Sequence, residues 1–596
     1  MSNNWDLGLI FESENDPKIV STRQEVEEVA KAFIKKWKER EDYLSEPSVL
    51  LEALDEYEKW QSEYGYYDAE VFYFSLKTSL NQLDTDLKAK YNQILEKAKK
   101  LINESQFFSL LVAKIKAGDQ AKFLEYPGLA KYKHYLESLF KSAKHQLSEA
   151  EEKIMLLKGA TSHSNWTKMV SSFISKEEKK VLLPDGTRKI KSFAEIMALL
   201  SSKDKPVRDE AGKAVNQILA KHVDVAEHEI NSILANKKVD DELRNFAKAE
   251  SARLLADDIE EEIVGMMVKS VSERFDIPAR WYQLKAKLLG LPRLAYYERL
   301  AEYGQMKDDY SYDEAALMVS KVFNELDPEI GGIFDSFEKN EQIDVYPTKG
   351  KSDGAYCAAA SPSLPTFILM NFTGRFNDIC TLAHEAGHGV NDELMKKAQN
   401  ALTFDSPLST AEVASTFMED FVLESVAKKA DEETRLAILV KKMDDDVSTI
   451  FRQVAGFLFE KELHQKFREK GYLSKKEIGV IFQKNMVAYM GDGVEKTKGS
   501  ENWWVYWSHF RRFFYVYSYA SGLLISKSLQ GAVKADSSFI QKVKGFLSAG
   551  SSDSPKNIFG KMNIDIEDKE FWNRGIGETE KLLEEIETLA KKLGKI

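Results

Sequence analysis

His384-Glu385-Ala386-Gly387-His388 places two imidazoles and a carboxylate at the spacing that metal-assisted hydrolysis needs. On a helix, residues four apart share a face, so both rings can reach one metal ion. Glu385 follows the first ring directly, where it can take a proton from water at the metal. H-E-x-x-H on a helix is the pattern of zinc peptidases. The same five letters also fit a core helix whose histidines are merely hydrogen-bonded, so the flanks have to decide.

Upstream, Pro365-Thr366-Phe367-Ile368-Leu369-Met370-Asn371-Phe372 is short, apolar and partly β-branched, and reads as a strand. Pro362 and Pro365 cannot donate ladder hydrogen bonds, which favours a strand start or a sheet edge. Thr373-Gly374 ends the strand. From about Asn377 a helix is expected, with Ile379, Leu382, Ala383 and Ala386 on its buried face. An extended peptide could pair with the edge strand and lay its scissile carbonyl near the metal.

A catalytic zinc takes three protein ligands and keeps one position open. Glu412, in Ser409-Thr410-Ala411-Glu412-Val413-Ala414-Ser415, is the candidate third ligand. Its spacing from Ser409 is also that of a capping box, which would turn the same carboxylate onto a helix N-terminus. Spacing alone leaves both open. Glu419, farther along the same helix, can orient a ligand histidine or lie on a solvated face.

His384-Glu385-Ala386-Gly387-His388 together with Glu412-Val413-Ala414-Ser415-Thr416 resembles the oligoendopeptidase F branch of the thimet-oligopeptidase-like zinc metallopeptidases. Phe367 to Phe372, Thr381-Leu382-Ala383, Gly354-Ala355-Tyr356-Cys357 and Lys285 to Leu291 match that pattern too, and the likeness runs from about residue 110 to the C-terminus. The resemblance implies one Zn2+ per chain, held by His384, His388 and Glu412, with Glu385 as general base. It also implies a mainly α fold: a large helical body with a deep substrate channel and a small β-sheet beside the zinc helix. The substrates it implies are short unstructured peptides cut at internal bonds. A related zinc carboxypeptidase and a non-catalytic helical peptide binder are the alternatives.

The family keeps a histidine followed by tyrosines that stabilise the tetrahedral intermediate. Here the matching segment is His509-Phe510-Arg511-Arg512-Phe513-Phe514-Tyr515-Val516-Tyr517-Ser518-Tyr519. Charge builds on the carbonyl oxygen as water attacks, so donors there lower the barrier. Of three alternating tyrosines, Tyr515 and Tyr517 are singled out, with His509 as donor or substrate contact. Arg511-Arg512 departs from the family form, and either guanidinium could grip a peptide carboxylate. Gly491-Asp492-Gly493 and Gly499 suit a closing loop or an ordinary connection between helices.

The chain has 596 residues, net charge −12, 43% hydrophobic and 30% charged residues, as expected of a globular protein. That charge argues against a nucleic-acid partner. No apolar run approaches a membrane span and Met1 to Asp6 lacks a signal-peptide pattern, so a cytoplasmic enzyme is expected. Two cysteines, Cys357 and Cys380, exclude a disulfide framework; Cys380 reads as a small buried apolar residue, with extra metal ligation as the other option. Helical periodicity covers about 22–41, 79–104, 146–158, 204–236, 312–326, 431–470 and 577–594. Val181 to Arg188 reads as a turn with short strands, and Ile343 to Phe372 as a small sheet. A helical N-terminal domain over 1–195 and a catalytic domain over 196–596 are expected. Oligomeric state is not legible.

Overall fold

A computed structural model of the chain describes residues 3–65, 68–306 and 309–596. About 70% of it is helical, with only small sheets, so the fold is mainly α. The chain forms two compact units, each assembled from three separate segments. The first comprises Met1–Lys144, Lys307–Val426 and Ala532–Ile564; the second comprises His145–Met306, Ala427–Gly531 and Asp565–Ile596. The boundary expected near residue 195 falls inside His145–Met306. Among the described residues no helix is long and apolar enough to cross a membrane.

In the first unit, an aromatic core of Phe33, Trp37, Tyr43, Tyr57, Phe108 and Tyr132 joins the early helices. A second core sets Trp5, Phe11 and Phe72 against Phe367 and Leu369 of the sheet. Trp5 Nε1 donates to the Ile368 carbonyl at 2.8 Å, tying the N-terminal segment to the strand. The helix expected over 79–104 is two helices, Ala69–Leu80 and Thr85–Ser105. Asp84 ends the break by accepting the backbone N–H groups of Asp86 and Leu87, a cap that the periodicity did not reveal.

The sheet has three strands in the order Ile343–Asp344, Phe367–Leu369, Tyr356–Ala358. Phe367–Leu369 runs parallel to the first and antiparallel to the last, with Ile368 opposite both Ile343 and Cys357. The expected edge strand is therefore the central one. Its prolines lie before the paired residues, so both sides of Phe367–Leu369 are free to pair. The outer strands are Ile343–Asp344 and, on the side of the turn at Gly354, Tyr356–Ala358. Asn371 donates to the carbonyls of Ser352 and Gly354, at 2.8 and 2.7 Å, and so fixes the turn that delivers this edge. Gly354 takes the left-handed φ of +80° there, which only glycine adopts readily.

In the second unit, the hairpin Glu178–Leu182 with Arg188–Ser192 forms around the expected Pro-Asp-Gly turn, and helix Lys205–Leu243 spans 39 residues. The glycines at 491–499 are packing contacts. A Cβ on Gly493 would stand 2.8 Å from Gln283 N, and one on Gly499 2.8 Å from the Asn216 Cβ. Val494–Glu495 pairs with Leu294–Ala295. These residues belong to a packed connection.

Candidate metal centre

Helix Phe376–Ala398 carries the H-E-x-x-H residues. It starts where Gly374 turns the chain, and the Asp378 carboxylate accepts the backbone N–H groups of Thr373 and Arg375 at 2.6 and 3.1 Å. Ile379, Leu382, Ala383 and Ala386 are all fully buried, the face that the periodicity gave. The opposite face carries His384 and His388, with ring centroids 5.1 Å apart.

Glu412 meets both rings. Its Oε2 lies 3.3 Å from His384 Nε2 and 3.5 Å from His388 Nε2, and the three ligand atoms fall within 4.8 Å of one another. The capping-box alternative is not formed: helix Val413–Lys429 begins after Glu412, and the buried Ser409 hydroxyl has no hydrogen-bond partner. Ser415 Oγ instead donates to Glu412 Oε2 at 3.0 Å, which steadies the carboxylate. Helix Phe376–Ala398 and the start of helix Val413–Lys429 meet at Gly387, where a Cβ would stand 2.7 Å from Ser415 Cα. Only glycine allows that approach, and the approach brings Glu412 to the histidines.

His384 Nδ1 donates to Glu419 Oε2 at 2.9 Å, leaving Nε2 to face Glu412. Burial lowers the basicity of this ring, but the Glu412 and Glu419 carboxylates outweigh it and push its pKa up to about 10. Burial raises the Glu412 carboxyl, and the two imidazoles overcome it, holding it well below the usual range. One carboxylate and two imidazoles converging on a point, with a second carboxylate fixing one tautomer, is a donor set that fits Zn2+. A metal cation would take the place of the proton these groups share. Cys380 is 5% exposed and lies outside this ligand group, consistent with a packing role.

Glu385 is 8% exposed, and burial pushes its carboxyl up, against the pull of His384 and His388 and the Cys357 backbone N–H. It lines a cavity of about 470 Å³ with His384, His388, Glu412, Tyr356 and Cys357. The sheet edge thus borders the site. The sequence reading missed Asp392 on the same wall, where burial raises its carboxyl to about 6 and its Oδ2 receives the Cys357 thiol at 3.6 Å. The signal was present, since Asp392 is four residues beyond His388 and shares its face. A larger concavity, about 670 Å³ in the second unit, is lined by lysines and glutamates and by no histidine or cysteine.

His509 and the tyrosines lie in the second unit. His509 Nε2 and the Tyr519 hydroxyl are 3.0 Å apart, and the Tyr515 ring is 5.9 Å from His509 and 5.5 Å from Tyr519. Burial, with Arg512 and Arg452 nearby, lowers the His509 pKa, which favours the neutral ring. Tyr517 is fully buried and its hydroxyl donates to Asp257 at 2.6 Å, whereas Tyr519 is the tyrosine whose hydroxyl meets His509. Arg511 is also committed, with Nε and Nη2 on the two oxygens of Glu229 at 3.0 and 2.6 Å, and cannot grip a peptide carboxylate.

A helical chain bearing a two-histidine, one-glutamate centre with a buried glutamate beside it has the form of a metallohydrolase. The sequence profile described as peptidase family M3 matches residues 198–578, and that of oligopeptidase F matches residues 112–172. The chain belongs to peptidase family M3. It is 27% identical over 605 residues to the group B oligopeptidase PepB of Streptococcus agalactiae, covering 99% of this chain and 97% of that protein. It is 28% identical over 486 residues to oligopeptidase PepF of Bacillus subtilis, covering 80% of this chain and 71% of the relative. The fold matches the crystal structure of oligoendopeptidase-F from Enterococcus faecium with a TM-score of 0.69 at 19% identity, over 96% of this chain and 99% of that one.

Proposed function

We propose that this peptidase is a zinc-dependent oligoendopeptidase, hydrolysing internal bonds of short unstructured peptides. The observation that carries the reading is the convergence of His384, His388 and Glu412, with Glu385 buried beside them. Zinc at this point supplies Lewis acidity, polarising a carbonyl oxygen and acidifying water. Glu385 takes the proton of the attacking water and returns it to the departing amine, a task suited to a carboxyl raised by burial. Glu419 holds the His384 ring, and Ser415 holds Glu412. Peptide pairs in extended form with the edge strand Tyr356–Ala358, which borders the cavity. By the family resemblance alone, His509 and the neighbouring tyrosines are assigned as hydrogen-bond donors to the oxyanion. The relatives named as oligopeptidases support the substrate class, and the reading places the enzyme in the cytoplasm.

The test is cleavage of internally quenched peptides blocked at both ends, with chelator and with zinc restored. Cleavage lost on chelation and regained with zinc is expected. Cleavage only of peptides with a free C-terminus would replace the endopeptidase reading with a carboxypeptidase one, and cleavage indifferent to chelation would refute the metal assignment.

A further inference from the structure

His509 and Tyr519 stand ten positions apart in sequence, yet His509 Nε2 and the Tyr519 hydroxyl are 3.0 Å apart. His509 lies in the short 3-10 helix Ser508–Arg511, and Tyr519 in helix Tyr517–Ala535. Between these elements Phe513 and Phe514 take left-handed φ values of 51° and 54°, and the chain folds back on itself. In that conformation an L residue sets its Cβ against a carbonyl oxygen, and even single residues other than glycine, asparagine or aspartate seldom adopt it. Two successive phenylalanines there need surroundings that hold them.

Several groups of the second unit do so. His163 Nε2 donates to the Arg511 carbonyl at 2.8 Å, and its ring lies 5.7 Å from that of Phe513. The His464 ring is 5.4 Å from Phe513 and 4.8 Å from Phe514, and Phe457 meets Phe514 at 5.7 Å. Rings resist displacement but offer the backbone no acceptor. That acceptor is Glu460, fully buried on helix Arg452–Lys470, whose Oε1 receives the Phe514 N–H at 2.9 Å. Its Oε2 is buried with no hydrogen-bond partner. Burial lifts this carboxyl to about 8, so it is mainly the neutral acid at pH 7. A carboxyl that makes one hydrogen bond, to one backbone amide, is a costly way to fill a core. Its placement is explained if that amide has to be held.

We infer that Glu460 is a positioning residue: by holding the Phe514 N–H it fixes the left-handed pair that brings His509 to Tyr515 and Tyr519. That the cluster serves the oxyanion rests on the peptidase reading; the placement does not.

The experiment compares Glu460→Met with Glu460→Gln in the full-length, zinc-loaded protein. Methionine fills the same space and accepts no amide, whereas glutamine keeps a neutral acceptor oxygen. The His509 ring is titrated by NMR in protein labelled at histidine, and kcat and KM are measured on blocked peptides. Burial and the neighbouring arginines hold the wild-type His509 pKa below 6.5. Glu460→Met should raise it towards 6.5 and lower kcat on the order of 10²-fold with little change in KM, as for a displaced catalytic group. Glu460→Gln should restore both. An unchanged His509 titration in folded Glu460→Met would overturn the inference. A shifted titration with unchanged kcat would uphold it and refute the oxyanion assignment. Should Glu460→Met fail to fold, hydrogen exchange at the Phe514 amide of the wild type decides: strong protection is expected, and exchange at the rate of an open loop would overturn the inference.

Discussion

Replacing Gly387 with alanine tests whether the contact between helices Phe376–Ala398 and Val413–Lys429 sets the metal geometry. The new Cβ would stand 2.7 Å from Ser415 Cα and 2.9 Å from the Ala414 carbonyl oxygen. Both are backbone atoms, so no rotamer change relieves the clash. Ordinary contact begins at 3.4 Å, so the two segments must part by about 0.7 Å. Metal–ligand distances tolerate only about 0.2 Å. Glu412, beside Ala414, would be drawn from the rings and the three donors could not share one ion. Zinc affinity should fall at least ~10–100-fold, as for disturbed ligand orientation, and stability by about 1–3 kcal/mol from overpacking. Gly389→Ala is the control. Its Cβ would meet the Phe337 ring at 2.7 Å, a side chain that can turn, so stability should drop while zinc affinity holds. The assay is competition against a chromogenic chelator, with thermal melts of both variants. Wild-type zinc affinity in Gly387→Ala would refute the reasoning.

Three further outcomes are expected. Glu419→Gln weakens the hydrogen bond that fixes the His384 ring, and should lower zinc affinity ~10–100-fold by the same chelator competition without abolishing the site. Tyr519→Phe should reduce turnover by about 10²–10³, whereas Tyr517→Phe should lower Tm, by about 1–3 kcal/mol of stability, and leave the turnover of folded enzyme unchanged; equal kinetic losses in both would contradict the exchange of roles. Glu460 is fully buried, and burial lifts its carboxyl from 4.5 to about 8, the Phe514 backbone N–H pulling back. The folded value lies above the unfolded one, so this group's contribution to stability is complete below pH 4.5, is lost as pH rises to about 8, and then stays constant. Melts across that window should show wild type losing on the order of a few kcal/mol relative to Glu460→Gln, and parallel curves would refute the assignment.

Local features of the site were legible because they follow backbone period. Two histidines four apart, a buried stripe of Ile379, Leu382, Ala383 and Ala386, and a break at Gly374 need no tertiary information. Tertiary pairing was not legible. Phe367–Leu369 looked like an edge because its prolines mark one end, yet two strands that both precede it in sequence, Ile343–Asp344 and Tyr356–Ala358, pair with its two edges. Ser409 and Glu412 match a capping box by spacing, and only the start of the helix at Val413 separates cap from ligand.

The tyrosines show how local conformation decides a role. Residues 515, 517 and 519 alternate in sequence, but a helix starts at Tyr517, and Tyr515, just before it, meets the Tyr519 ring at 5.5 Å. Phe513 and Phe514 precede it with φ of 51° and 54°, a conformation no aromatic residue signals in advance. Arg511 finds Glu229 at a separation of 282 residues, beyond any local pattern. The interleaved segments of the two units were hidden for the same reason.

The central claim is that Glu385 is the base of a zinc-dependent hydrolysis, and the most direct measurement is turnover of metal-loaded Glu385→Gln. The substitution keeps the size of the side chain and removes its basicity. With one zinc per chain and unchanged peptide affinity, kcat should fall by at least ~10²–10⁴. Zinc-loaded Glu385→Gln turning over blocked peptides at close to the wild-type rate would contradict the account.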